Sequence, residues 1–225
     1  MFDTILYNQY RRILCDFAIF CIEYTTMGYR MKYIVIDTET TGLDARKHEM
    51  LSLGAMVMID GVITETIEVK IRPRNIDQAD PKALQVNGYS AYRWKNAIEG
   101  EYANSIIKHF LLSHQDGILV GHNVGFDIKF LRAFADEYQT EYMIPTPYID
   151  TRDVCRVNLA PYGCSSMSLD NICLFLGWKR RKAHTALSDC EDCIKILRCM
   201  CPPSPKFIAY LRLRGMIARF KGLIS

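Results

Sequence analysis

The sequence predicts an α/β domain built on one mixed five-stranded sheet with helices on both faces. Apolar β-branched runs of strand length recur along it, beginning with Tyr33-Ile34-Val35-Ile36. A strong hairpin dipeptide, Asp60-Gly61, joins two such runs. Beyond the hairpin, helical patterns alternate with two short apolar strands.

Taken in order, the first strand covers residues 32–37. Two further strands, at about 51–59 and 62–71, flank Asp60-Gly61, and Arg72-Pro73 ends the hairpin. A helix starts near Pro81, since proline suits the first helical position, and stops before Asn87-Gly88. A second helix covers about 102–113. The run 117–120 is a short strand, followed by a helix at 126–138 and a fifth strand that reaches Asp150. Helices follow at 151–159, 168–176 and 185–199. Pro202-Pro203-Ser204-Pro205 then breaks the pattern before a basic amphipathic helix at 207–221. The organisation expected is an N-terminal extension (1–30), a core domain (31–201) and a basic C-terminal tail helix (202–225).

Composition sets bounds. With 225 residues and 49% apolar content, the chain buries one full-sized core. No segment approaches the ~20 uninterrupted apolar residues needed to span a bilayer, so no membrane partner is expected. The apolar stretch 13–22 follows Arg11-Arg12 but precedes no small-residue cleavage site. Residues 1–30 are read either as a translated upstream stretch ahead of a working start at Met31 or Met27, or as a packed accessory helix. The first reading is favoured. Nine cysteines, odd in number and irregular in spacing, point to free thiols in a reducing cytoplasm. Cys190-x-x-Cys193 and Cys199-x-Cys201 admit a zinc reading, but the first pair falls inside a helical pattern, where cysteine acts as a small buried hydrophobe. The net charge of +3 is mild, yet Lys179-Arg180-Arg181-Lys182 form a tight basic run and no acid follows Ser204. Basic surface near an acidic site suits a polyanionic substrate. The basic run is a candidate either for backbone phosphates or for an ordinary solvated loop.

Chemistry concentrates at three places. Asp37 and Glu39 end the first strand, and residues two apart on a strand share a face. Two like charges on an apolar sheet surface call for a cation between them, and hard divalent ions choose carboxylate oxygen. Asp127 stands where a strand has ended and a helix begins, with free backbone N–H groups nearby. His184 precedes a helix whose first turns carry Asp189. Taken singly, solvated acids, helix caps and a surface or core histidine are the commoner explanations. Four acids and a histidine in these contexts argue together for one site.

The motifs Ile36-Asp37-Thr38-Glu39-Thr40-Thr41-Gly42-Leu43, His122-Asn123-x-x-Phe126-Asp127 and His184-x-x-x-x-Asp189 resemble, in order, those of the DEDDh-type 3′–5′ exonucleases of the RNase H-like superfamily. That group includes proofreading subunits of bacterial replicative polymerases, RNase T and oligoribonuclease. The resemblance covers about residues 32–199. Val86-Asn87-Gly88, where the family often has histidine at the middle position, and Ser168-Leu169-Asp170 are weaker similarities. The tyrosine subclass would place its tyrosine where Thr185 stands, so the histidine subclass fits.

The resemblance implies an RNase H-like fold and release of nucleoside 5′-monophosphates from single-stranded 3′ ends. Asp37, Glu39, Asp127 and Asp189 would hold two Mg²⁺ or Mn²⁺ ions. His184 would act as general base, swinging in with substrate. Thr40, Thr41, Leu43, Val86 and Phe126 would meet the terminal nucleotides, Phe126 by stacking or wedging against a base, and Asn123 would contact or orient phosphate or metal ligands. DNA is favoured over RNA by likeness of the first motif to proofreading members. An endonuclease of the same superfamily is disfavoured by His184-x4-Asp189. The alternative class is a binding module, a subunit whose main task is docking onto a polymerase through its tail or leader.

Overall fold

Strands β1 (Lys32–Thr40), β2 (Met50–Ile59), β3 (Val62–Lys70), β4 (Ile118–Gly121) and β5 (Tyr148–Asp150) form a sheet in the order β3-β2-β1-β4-β5 in the computed structural model. β1, β2 and β3 run antiparallel, whereas β4 and β5 lie parallel to β1. The structure describes residues 30–180, 184–201 and 203–220, leaving aside the side chains of 218–220. Both readings of the leader, the Arg181–Lys182 half of the basic run and the last residue expected of the tail helix lie outside the described residues.

Side-chain alternation along β1 builds two cores. Ile34 and Ile36 face one layer, where α2 (Gly100–Ser113) and α3 (Val124–Glu137) contribute Ile107, Leu111 and Phe130. Val35 faces the other, against α4 (Thr151–Leu159), α5 (Leu169–Leu176) and α6 (Ala186–Met200). Because both faces are covered, β2 is buried over all but its last residue, as continuous apolar runs in central strands require. β3 lies at the sheet edge and carries Glu65, Glu68 and Lys70, charges that discourage pairing with another chain. The hairpin turn holds Asp60 at φ 51 and Gly61 at φ 80, the left-handed pair that matches strand twist.

The short α1 (Pro81–Asn87) begins on Asp80, whose carboxylate accepts from Lys82 N at 2.8 Å. It ends on left-handed Gly88. α3 starts two residues earlier than its apolar spacing predicts. Asn123 adopts φ 68 and turns the chain from β4 straight into the helix, a conformation that asparagine tolerates.

α7 (Pro205–Phe220) corresponds to the expected tail helix, but part of its charge is spent inside the fold. Arg214 donates to Phe175 O at 2.6 Å and Leu174 O at 3.1 Å, satisfying carbonyls at the C-terminus of α5. Leu211 is buried, and Tyr210 donates its hydroxyl proton to Leu176 O.

One close approach sets the height of α6. A Cβ added at Gly54 of β2 would come within 2.6 Å of the Ala186 carbonyl carbon and 2.8 Å of Leu187 N. Gly54 pairs with Asp37 across β1 and β2, so the first turn of α6 rests directly beside that acid. We expect Gly54→Val to destabilise the fold by about 1–3 kcal/mol, lowering Tm by roughly 3–10 °C in thermal unfolding. An unchanged Tm would show that α6 does not press on this glycine.

Candidate active site

Where β1 ends, acids from three elements meet. Asp37 and Glu39 follow Val35 on the β1 face that α6 covers. Asp127 lies in the first turn of α3, and Asp189 in the first turn of α6. Since α3 and α6 cover opposite faces of the sheet, the two helix starts reach the strand end from either side. The site thus lies at the carboxyl ends of the parallel strands, where open α/β sheets place their ligands.

Each acid has its own support. Asp127, 2% exposed, accepts through Oδ1 from Thr38 N at 2.9 Å and from the Thr38 hydroxyl at 2.7 Å. Asp189 is buried and paired: the Arg180 guanidinium donates to its Oδ1. The same guanidinium reaches Asp170 through Nη1 and Asp192 through Nε, the latter at 2.8 Å. Arg180 had been expected, within its basic run, on the surface. Its side chain is only 8% exposed and points inward, because three carboxylates surround it.

Burial and mutual repulsion dominate the electrostatics. Removal from water, then the nearby Asp127, Asp189 and Glu39 charges, push Asp37 well above the usual carboxylate range. Burial, followed by Asp189 and Asp127, raises Glu39 to about 8, against the opposing pull of Arg93 and Arg180. Burial lifts Asp127 to about 7 despite its bonds from Thr38, and Asp189 to about 6 despite Arg180 and His184.

Among the described residues, no three His, Cys, Asp or Glu side chains stand close enough to hold a metal ion as placed. Asp189 faces Arg180, and one oxygen of Asp127 is committed to Thr38. The donor set nevertheless fits a hard divalent cation. It is all carboxylate oxygen, and its members repel one another.

The two histidines of the motifs differ. His122 is half-buried, its Nε2 2.7 Å from Met167 O and its Nδ1 3.0 Å from the Thr151 hydroxyl. A carbonyl can only accept, so Nε2 carries the proton. Burial holds the ring neutral by lowering its pKa to about 4. His122 ties β4 to the loop before α5. His184 sits at φ 61, half-exposed, with Nε2 3.5 Å from Asp170 Oδ2.

The expected nucleotide-contacting residues divide into two groups. Leu43 is 81% exposed and Val86 48% exposed, while Asn123 is exposed beside the acids. Asn123 N donates to Asp150 Oδ1 at 2.8 Å, and its Oδ1 accepts from Arg152 Nη1 at 3.3 Å. Thr40 and Thr41 are buried, their hydroxyls engaged with Gly42 O and Glu49 N. These two shape the loop and do not present free hydroxyls. Phe126 packs on Phe130 with ring centroids 4.8 Å apart, so only part of the ring is open. Asn87 is buried and donates to Thr40 O at 3.0 Å, fastening α1 to the end of β1.

A cavity of about 400 Å³ opens beside the acids, lined by Asp37, Asn123, Arg152, Arg180 and His184 among others. Sequence reasoning missed Arg152, Asp150, Asp192 and the inward role of Arg180. Asp192 was accessible in principle, lying three residues from Asp189 on one helix face. The pairing of Arg180 had no local signal.

A family model for exonucleases matches residues 34–197. The chain is 30% identical to the DNA polymerase III subunit epsilon of Aquifex aeolicus, over 73% of this chain and 80% of that one. It is 28% identical to a PolC-type DNA polymerase III of Thermotoga petrophila, over 75% of this chain and 12% of the polymerase. The chain therefore spans only about an eighth of that polymerase's length. Its fold matches E. coli exonuclease I, solved with a dT13 oligonucleotide, with a TM-score of 0.66 at 16% identity, over 80% of this chain and 43% of that one. The RNase H-like fold expected from the motifs is thus the fold observed. With the family match running from β1 into α6, through all four acids, the chain belongs to the exonuclease family, as a DEDDh-type member.

Proposed function

We propose that the chain is a 3′–5′ exonuclease that hydrolyses single-stranded nucleic acid, DNA in preference to RNA, releasing nucleoside 5′-monophosphates. The observation that carries this reading is the meeting of Asp37, Glu39, Asp127 and Asp189 at one strand end, each raised in pKa by burial. These four would hold two Mg²⁺ or Mn²⁺ ions, with Asp127 using the oxygen that Thr38 leaves free. When bound, such ions stabilise charge on a transferring phosphoryl group and acidify a water.

The chain's own groups do the rest. His184 takes the proton of the attacking water as its oxygen bonds to phosphorus and the bond to the 3′ oxygen breaks. The departing 3′ oxygen takes a proton from solvent, and the imidazolium returns its own to solvent. Asp170 Oδ2, 3.5 Å from Nε2, holds the ring beside the cavity. Asn123 and Arg152 face the cavity as donors for phosphate oxygen. Leu43, Val86 and the open part of Phe126 offer apolar surface to the terminal bases, while Thr40 and Thr41 act through the backbone they shape.

The DNA preference draws support from the relatives. One is named as a DNA polymerase subunit, and the exonuclease I structure holds a DNA oligonucleotide. A cytoplasmic setting suits the free cysteines buried at Cys155, Cys190 and Cys193. No helix among the described residues is long and apolar enough to cross a membrane.

Likeness to an epsilon subunit favours a second reading, in which the chain also docks onto a polymerase. Leu213 and Met216 of α7, each about half exposed, would supply the contact. Replacing both by glutamate should abolish co-elution with a replicative polymerase core and spare oligonucleotide shortening. Unchanged co-elution would exclude α7 as the docking element.

With Mn²⁺ or Mg²⁺, the protein should shorten a 5′-labelled single-stranded oligonucleotide stepwise. Asp37→Ala should abolish this, and His184→Ala should slow it by about 10²–10⁴-fold. Equal shortening by wild type and Asp37→Ala would remove the chemistry from this site.

Metal removal and pH are linked. The folded-state values of about 6, 7 and 8 for Asp189, Asp127 and Glu39 exceed the ordinary 3.8 to 4.5. Between those limits the folded state binds more protons than the unfolded chain, so stability falls as pH rises. In EDTA, Tm should therefore drop between about pH 5 and pH 8, and saturating Mn²⁺ should restore it most at pH 8. A metal-free Tm that climbs across this window would contradict the described electrostatics.

A further inference from the structure

The guanidinium of Arg180 is unusual in its surroundings. It is 8% exposed and meets three carboxylates, Asp170, Asp189 and Asp192, on two different helices. Asp189 and Asp192 share one face of α6, and Asp170 begins α5. Asp170 also receives His184 Nε2 at 3.5 Å. Arg180 therefore holds one of the four acids of the site and shares an anchor with its histidine. A planar fork of donors can bridge several carboxylates at once, which a single ammonium cannot. Left without a cation, Asp189 would stand buried among like charges, an arrangement that folded proteins avoid.

We infer that Arg180 is a positioning residue of the metal site, whose guanidinium holds Asp189 in the metal-free protein and yields that carboxylate when a divalent ion binds. The inference rests on the metal-dependent reading above. Asp170 and Asp192 keep the guanidinium in place after Asp189 turns, so the cation is not expelled into solvent. Metal affinity is accordingly set below its intrinsic value by the fraction of molecules in which Arg180 holds Asp189.

The test is calorimetric titration of Mn²⁺ into the full chain stripped with EDTA, for wild type, Arg180→Gln, Arg180→Lys and Arg152→Gln, alongside Tm with and without Mn²⁺. Arg180→Gln should bind Mn²⁺ about tenfold tighter than wild type. Its metal-free Tm should fall by roughly 5 °C, with the gap closing in Mn²⁺. Arg180→Lys keeps the charge and loses the fork, and should also bind more tightly. It decides the matter if Arg180→Gln does not fold without metal. Arg152→Gln removes a cation from the same cavity without freeing Asp189, and should tighten binding much less. Wild-type binding that neither Arg180 variant tightens, or that Arg152→Gln tightens equally, overturns the inference and leaves the metal-dependent reading intact. Failure of wild type to bind Mn²⁺ overturns both.

Discussion

Repulsion among four carboxylates at the end of β1, two buried and two half-buried, is the constraint around which this molecule is arranged. Asp37 and Glu39 cannot avoid each other, because strand pleat puts them on one face. The starts of α3 and α6 add Asp127 and Asp189 to the same volume. Helix N-termini soften the conflict, since their free N–H groups favour negative charge. Burial outweighs that help, and all four acids rise above their ordinary pKa. Arg180 offsets part of the charge from one side, and the donor chemistry invites a divalent ion from the other.

The surrounding fold makes this arrangement rigid. Two cores clamp the central strands, so β1 cannot twist its acids apart. Gly54 lets α6 descend until its first turn lies beside Asp37. Thr38 fixes Asp127 with two bonds, and Asn87 fastens α1 to the backbone that follows Glu39. His122, neutral and doubly bonded, anchors the loop that leads to Asp170. Its place in the structure is thus one of support, while His184 stands half-exposed at the edge of the cavity.

Much of the fold was legible in the sequence. Asp60-Gly61 marked the hairpin because a left-handed pair suits a two-residue turn between twisted strands. Apolar runs of strand length marked the strands, and the order strand, helix start, helix start brought out the four acids. At single side chains, tertiary contact decided what local pattern left open. Thr40 and Thr41 looked available to a nucleotide, yet their hydroxyls close the loop at Gly42 and Glu49. Cys190 and Cys193 lie in the core between α6 and the sheet, as the small buried hydrophobes that their helical spacing predicted. Arg214, counted as tail charge, caps carbonyls of α5.

Periodicity and turn chemistry are local properties, so the sequence by itself determined the class of fold, the strand that carries Asp37 and Glu39, and the family to which the motifs belong. Which charges meet is not a local property. Arg180 and Asp170 are separated by ten positions and a helix end, and only the tertiary fold brings them with the buried Asp189 and Asp192 into one network. Coulomb energy depends on distance and on exclusion of water, and both are settled only when the layers close.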